Sequence, residues 1–426
     1  MPKFTVRPNF TGTAGDDTIV GEDLNKFPAI GIDILTGGFI STGLGNDTIT
    51  GTGQGGDRLY DESFIGGSGG SGTGIANSGS GRLNTGDGND TITGAGQGGT
   101  GKAFSPYPRY TVGGYGGDGT GIANSGILET EDGNDIITGT GQGGTGESFN
   151  DEYASGANGG AGTGISNTGL LDTGDGNDAI TGTGKGGRGE SAYSSSSDVN
   201  GDGGAGTGIS NTGLLDTGDG NDTITGVGSG GIGGSYSNGS AGTGIQNVEG
   251  ATITTGQGND TITGSGDASQ VVVIGISNDG VIDTGNGGDI LTGQATATIG
   301  STAYGIYGEG TIKTDDGNDF ITSTSTINEV QQKVTIGGGI NIYLGTGNDY
   351  FKGFGTATVD GEEGFDTLDL SAFNRSELTF SGVISGNALN PANISFNNSG
   401  NVITLTTTGF ENFVFADSSL DYSTLV

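Results

Sequence analysis

The chain has 426 residues, of which 99 are Gly, and 49 Asp plus Glu against 13 Lys plus Arg give a formal net charge of -36, with no Cys, His or Trp. That inventory leaves no ligands for zinc, haem or thiol chemistry, and the charge repels a phosphate backbone, so no nucleic-acid partner is expected. A hydrophobic content of 29% at this charge ordinarily suggests disorder. A strong internal period argues for order instead, because a stacked array needs only a thin aliphatic core.

Residues 1–12 hold a short leading strand, Phe4-Thr-Val-Arg7, expected to cap the first coil. This N-terminus lacks the apolar run of a Sec-type signal peptide. No stretch approaches the roughly 18 apolar residues of a membrane span.

Residues 13–369 are read as one repeat domain. Its unit is a corner such as Thr85-Gly-Asp-Gly-Asn-Asp-Thr-Ile-Thr-Gly94, whose last acidic residue recurs as Asp17, Asp47, Asp90, Asp135, Asp178, Asp222, Asp260, Asp289, Asp319, Asp349 and Asp366. A Gly-Ile pair at Ile32, Ile75, Ile122, Ile165, Ile209, Ile245, Ile276 and Ile306 precedes the acid by 13 or 15 residues. From Asp47 onward the other half of each coil varies from 16 residues (Asp260 to Ile276) to 32 (Asp90 to Ile122). A coil of about thirty residues with insertions at one place is therefore predicted, too small to fold alone and stacked on its neighbours.

Period-2 alternation puts Asp90 and Ile92 on one side of their strand and Thr91 and Thr93 on the other. Ile92 and its equivalents Ile49, Ile180, Ile224, Ile262, Leu291 and Ile321 should stack inward. The Gly-Ile residues form a second inward stack, and Leu128, Leu171, Leu215 and Ile282 a third. The fold class is thus all-β, a parallel β-solenoid of β-helix or β-roll type.

Between residues 51 and 244 the longer coils carry Gly-rich insertions with Tyr60, Phe64, Phe104, Tyr107, Tyr110, Tyr115, Phe149, Tyr153, Tyr193 and Tyr236. They read either as mobile loops on one face or as an aromatic edge where the protein meets copies of itself or a surface glycan. Residues 370–426 change character: Leu378–Ile384 and the run from Ile394 to Leu405, with a hairpin turn at Asn398-Ser-Gly-Asn401, predict a β-rich C-terminal cap. An open solenoid edge needs one.

Stacking brings the corner carboxylates to about 4.8 Å from one another. At an effective dielectric near 20 each adjacent pair costs roughly 3 kcal/mol. A cation between coils relieves this, and an oxygen-only donor set with exposed turn carbonyls points to Ca²⁺, several per chain. The alternative is a metal-free turn built on an Asn or Asp hydrogen-bond ladder.

The stretch Thr173-Gly-Asp-Gly-Asn-Asp-Ala-Ile-Thr181 resembles the nonapeptide Gly-Gly-x-Gly-x-Asp-x-U-x of the repeats-in-toxin (RTX) calcium-binding family, with Thr in place of the first Gly. The resemblance implies Ca²⁺ held between coils by Asp178 and the carbonyls around Thr173 to Gly176, and likewise at the other ten acids. The period departs from that family, one motif per coil in place of two, so one ion column is expected; only the 17-residue step from Asp349 to Asp366 comes near the family spacing. The ending Asp421-Tyr-Ser-Thr-Leu-Val426 is similar to the C-terminal signals by which such proteins leave the cell through type I secretion.

These readings favour a secreted, Ca²⁺-binding, non-catalytic solenoid of the cell surface or extracellular matrix. Two other functions compete. Thr48/Thr50, Thr91/Thr93, Thr223/Thr225 and Thr261/Thr263 suggest an ice- or surface-binding adhesin, although Ile136, Ala179, Ile290, Phe320 and Tyr350 break that ladder and the exposed loop position is mostly Asp. Parallel β-helices also host polysaccharide-active enzymes, for which Asp57-Arg58 and Asp151-Glu152 in the insertions are the candidate groups.

Overall fold

The structure is a computed structural model that describes all residues except 1–2, 7–8, 58–66, 103–112, 149–155, 192–200, 235–236, 238, 270, 299–300, 383–390 and 426. The chain winds into a parallel β-solenoid with three sheets running along its length, one of 10 strands and two of 14. Each full coil contributes one strand to each sheet. In the coil around Asp90 these are Gly72–Asn77 in the Gly-Ile sheet, Arg82–Asn84 in the leucine sheet and Thr91–Gln97 in the threonine sheet. Equivalent residues of successive coils sit in register, Ile75 with Ile122, Leu83 with Leu128 and Ile92 with Ile137.

The three predicted aliphatic stacks converge. Ile75, Leu83 and Ile92 of one coil are each fully buried, and the same triad repeats as Ile122, Leu128 and Ile137, then Ile165, Leu171 and Ile180. One continuous cluster runs from Val6 to the cap. Only three aliphatic side chains per coil are needed, which is why so little hydrophobic content suffices.

Beyond that triad much of the contact between the Gly-Ile and threonine sheets is made without side chains. In the coil of Asp90 the inward positions of the threonine sheet after Ile92 are glycines, and a Cβ built on Gly94 would lie 2.3 Å from the carbonyl oxygen of Gly121 in the Gly-Ile sheet; in the later coils small side chains such as Ala295 and Ser323 take these positions. The two sheets therefore pack backbone against backbone, nearer than the ~10 Å of sheets separated by side chains. This contact continues into the insertions. Outgoing and returning glycine legs alternate in one hydrogen-bonded series: Gly70 N–H donates to the Gly56 carbonyl (2.9 Å), Gly99 to Gly70 (2.8 Å), Gly117 to Gly99 (2.9 Å) and Gly144 to Gly117 (2.7 Å), and it runs on through Gly160, Gly187 and Gly204 to Gly231. The legs at the base of the insertions are thus hydrogen-bonded to one another, and glycine is required there by their close packing. Of the ten aromatic residues singled out there, Tyr115 is described and exposed; the other nine lie outside the described residues.

The ends follow the expected plan with local differences. Phe4–Val6 pairs with Ala29–Ile34 as the first strand of the Gly-Ile sheet. At the other end the short coil between Asp349 and Asp366 has no strand in that sheet, only an isolated parallel bridge of Gly355 to Ile336: Tyr350–Lys352 leads to Ala357–Asp360 through buried Phe354. Ala392–Asn398 and Asn401–Thr408 form the hairpin, its two-residue turn at Ser399 (φ 55°) and Gly400 (φ 99°) having both residues left-handed. The hairpin and Leu378–Ser381 close the leucine sheet with antiparallel pairing, and Ser419–Asp421 closes the threonine sheet in the same way.

Candidate metal centre

The corner between the leucine and threonine sheets turns on six residues, Thr85-Gly-Asp-Gly-Asn-Asp90 in the second full coil. Its second position is left-handed in coil after coil, Gly86 at φ 83°, Gly174 at 79° and Gly218 at 74°, and Glu131, Asp315 and Glu362 accept the same conformation at φ 61°, 50° and 63°. The fourth position also has a positive φ in several coils (145° at Gly88, 149° at Gly176), and it is glycine for a second reason as well. A Cβ on Gly176 would lie 1.4 Å from the carbonyl oxygen of Gly133, and one on Gly220 would lie 1.5 Å from that of Gly176. Stacking itself demands glycine there, with or without a metal.

The structure gathers all eleven predicted acids into one column. Ten of them are buried, from Asp47 to Asp366, and Asp17 at the N-terminal end is half-buried. One oxygen of each of the ten buried carboxylates is used the same way. The backbone N–H of Asp17 donates to Asp47 Oδ1 (2.7 Å), that of Asp47 to Asp90 (2.7 Å), Asp90 to Asp135 (2.7 Å), Asp135 to Asp178 (2.7 Å) and Asp178 to Asp222 (2.8 Å). The ladder continues through Asp260, Asp289, Asp319 and Asp349 to Asp366 at 2.7–2.8 Å. Glu411 of the cap ends it by accepting the N–H of Asp366 at 2.8 Å. Oδ1 thus matches the hydrogen-bond ladder of the metal-free alternative.

Oδ2 does not. In Asp47, Asp90, Asp135, Asp178, Asp222, Asp260, Asp289, Asp319, Asp349 and Asp366 it is buried without a hydrogen-bond partner. Asp17 differs because the Thr13 N–H reaches its Oδ2 at 2.6 Å. Burial dominates the electrostatics: it pushes Asp135, Asp222, Asp289 and Asp349 up to about 6 and Asp178, Asp319 and Asp366 up to about 7, with neighbouring carboxylates adding to the rise in most of them. Asp90 and Asp260 are raised by the same cause. Threonine at the first corner position stands beside the carboxylate of its own coil and offsets part of the shift for Asp135 and Asp178. In Thr42, Thr130, Thr173, Thr255 and Thr314 the hydroxyl proton is turned to the next coil, Thr130 Oγ1 donating to the Thr173 carbonyl at 3.0 Å, whereas Thr85, Thr217 and Thr284 Oγ1 are buried without such a bond.

By donor type the column fits a hard cation: one free carboxylate oxygen per coil, a threonine hydroxyl beside it and glycine carbonyls directed along the stack. Among the described residues no three acidic side chains converge on one point, so any ion would take most of its ligands from backbone and hydroxyl oxygens. Outside the column, Asp57 is spent on the Thr100 N–H at 2.7 Å, while Arg58, Asp151 and Glu152 lie outside the described residues.

One further ladder went unread in the sequence. Asn77, Asn124, Asn167, Asn211, Asn247 and Asn278 are all buried, and each Nδ2 up to Asn247 donates to the Oδ1 of the next at 2.8–2.9 Å. The signal was an Asn two residues after six of the eight Gly-Ile landmarks, from Ile75 to Ile276. At the corner an exposed asparagine column, Asn46 to Asn89, Asn134, Asn177, Asn221 and Asn259, runs opposite to the acids, each N–H donating back to the preceding Oδ1.

Compared with known proteins, the chain matches no family model and no curated sequence.

Proposed function

We propose that the chain is a secreted, non-catalytic structural solenoid that binds several Ca²⁺ ions along its acidic column and serves as cell-surface or extracellular-matrix material. The observation that carries this reading is the stack of ten buried carboxylates, each with one oxygen unpartnered. A buried anionic oxygen with no donor is costly, and ten of them at about 4.8 Å spacing call for countercharge. Asp47, Asp90, Asp135, Asp178, Asp222, Asp260, Asp289, Asp319, Asp349 and Asp366 would supply the carboxylates, and bound Ca²⁺ would supply positive charge between coils. Where free Ca²⁺ is low the column repels itself and the coils stay loose. At the ~10⁻⁴–10⁻³ M affinities of extracellular modules, the ion would complete the fold after export. Among the described residues no helix is long and apolar enough to cross a membrane. The exposed Tyr115 beside the stacked glycine legs supports self-association or contact with a surface glycan as the role of the insertions.

The test is circular dichroism of EDTA-stripped protein during Ca²⁺ titration, with ion stoichiometry measured on the same sample. A gain of β structure with several ions per chain is expected. An unchanged β spectrum with no ion retained would leave the corner as a metal-free turn.

A further inference from the structure

The outer face of the threonine sheet is self-complementary, and we propose that two copies of this chain dock through it as a twofold dimer whose axis runs along strand Thr223–Ser229. Eight successive strands, from Thr48–Gly55 to Phe320–Ile327, present outward columns in register. The second outward column is Thr in all eight: Thr50, Thr93, Thr138, Thr181, Thr225, Thr263, Thr292 and Thr322. The columns on either side, starting at Thr48 and Thr52, contain no charged residue over the same strands. In a chain of net charge -36 this is a surface on which two copies can approach without opposing carboxylates. At strand spacings of about 4.8 Å and residue rises of about 3.3 Å it measures roughly 34 by 20 Å, near 700 Å² per copy. A stable pair buries about 800 Å² per partner.

Charge and shape select one arrangement. The fourth outward column reads Gln142, Lys185, Ser229, Asp267, Thr296, so one cation and one anion flank Ser229 at equal distances. Both are exposed, and neither is in an ion pair among the described residues. Within one copy they are two coils apart, about 9.6 Å, too far to pair. Rotation by half a turn about the Thr223–Ser229 strand lays Lys185 of one copy over Asp267 of a second and the reverse, two reciprocal ion pairs. The same operation lays Ile136, 48% exposed, over Ile290, 44% exposed, and brings Val227 onto its own equivalent at the axis. Such reciprocity is what an isologous interface requires. Ile136 and Ile290, which interrupt the Thr-x-Thr pattern, become its apolar contacts.

Sedimentation equilibrium of the full chain in Ca²⁺, with the β fold of every sample checked by circular dichroism, tests this independently of how the ion is bound. The wild-type chain is expected to dimerise; Lys185→Asp and Asp267→Lys should each weaken dimerisation more than tenfold, and the double exchange should restore it. Val227→Cys, in a chain without cysteine, should give a disulfide-linked dimer on oxidation. A folded wild-type monomer at millimolar concentration, or single charge variants that dimerise like wild type, would overturn the proposal. So would a folded monomer whose Thr181→Lys variant loses adsorption to ice or to a neutral polysaccharide film, since the face would then belong to that partner.

Discussion

At Asp178 the two carboxylate oxygens have different fates, and substitution separates them. Oδ1 accepts the N–H of Asp135 at 2.7 Å inside the stack, while Oδ2 is buried without a partner. Asp178→Ala removes both and strands a buried N–H, which costs about 1–3 kcal/mol. Asp178→Asn keeps the acceptor and discards the charge. Urea unfolding in EDTA at pH 6 should therefore place the Asn variant within about 1 kcal/mol of wild type and the Ala variant clearly below it. In Ca²⁺ at neutral pH both should lose part of the stabilisation the ion gives. An Asn variant that keeps the full Ca²⁺ response would remove Asp178 from the ion's ligands.

Among elements, the corner shows that its glycines answer to two separate constraints. Gly220 is not left-handed, yet a Cβ there would meet the Gly176 carbonyl oxygen at 1.5 Å. Outside the corner, in the turn between Gly242–Asn247 and Thr252–Thr254, Gly250 at φ 81° has open space around its Cβ position and isolates the backbone constraint alone. Gly220→Ala is expected to cost about 3 kcal/mol by forcing two coils apart, and Gly250→Ala about 1 kcal/mol of backbone strain. Thermal melts of the two variants give the comparison, and equal losses would mean that the coils are not in backbone contact at the corner. This distinction also marks what could be read from residues alone. The inward Ile and Leu stacks and the acid column were legible because alternation and a fixed count from Gly-Ile to Asp determine them. The glycine legs were not, since Gly-Gly pairs look alike in a mobile loop and in a backbone-packed array. Glu411 escaped notice because it continues the acid column from the cap, 45 residues beyond Asp366, without the repeat motif.

Over the whole molecule the column makes stability depend on pH in an unusual direction. An unfolded chain releases its Asp protons near pH 4, whereas burial holds Asp135, Asp222, Asp289 and Asp349 protonated to about 6 and Asp178, Asp319 and Asp366 to about 7. The folded state thus binds more protons than the unfolded state between these limits. Its stability is complete below about pH 4, falls as pH rises through the folded values, and levels off above pH 7. At about 1.4 kcal/mol per pH unit for each acid, even a fraction of seven such contributions matches the ~5–15 kcal/mol that holds a domain together. Without Ca²⁺ the chain should melt at lower temperature at pH 8 than at pH 5, or be unfolded at pH 8 outright. Added Ca²⁺ should raise the melting temperature strongly at pH 8 and little at pH 5, where the carboxyls hold protons in place of the ion. Melts in EDTA and in Ca²⁺ across that range measure both effects, and a Ca²⁺-free chain whose stability rises with pH would show that the buried column is neutralised by some other means.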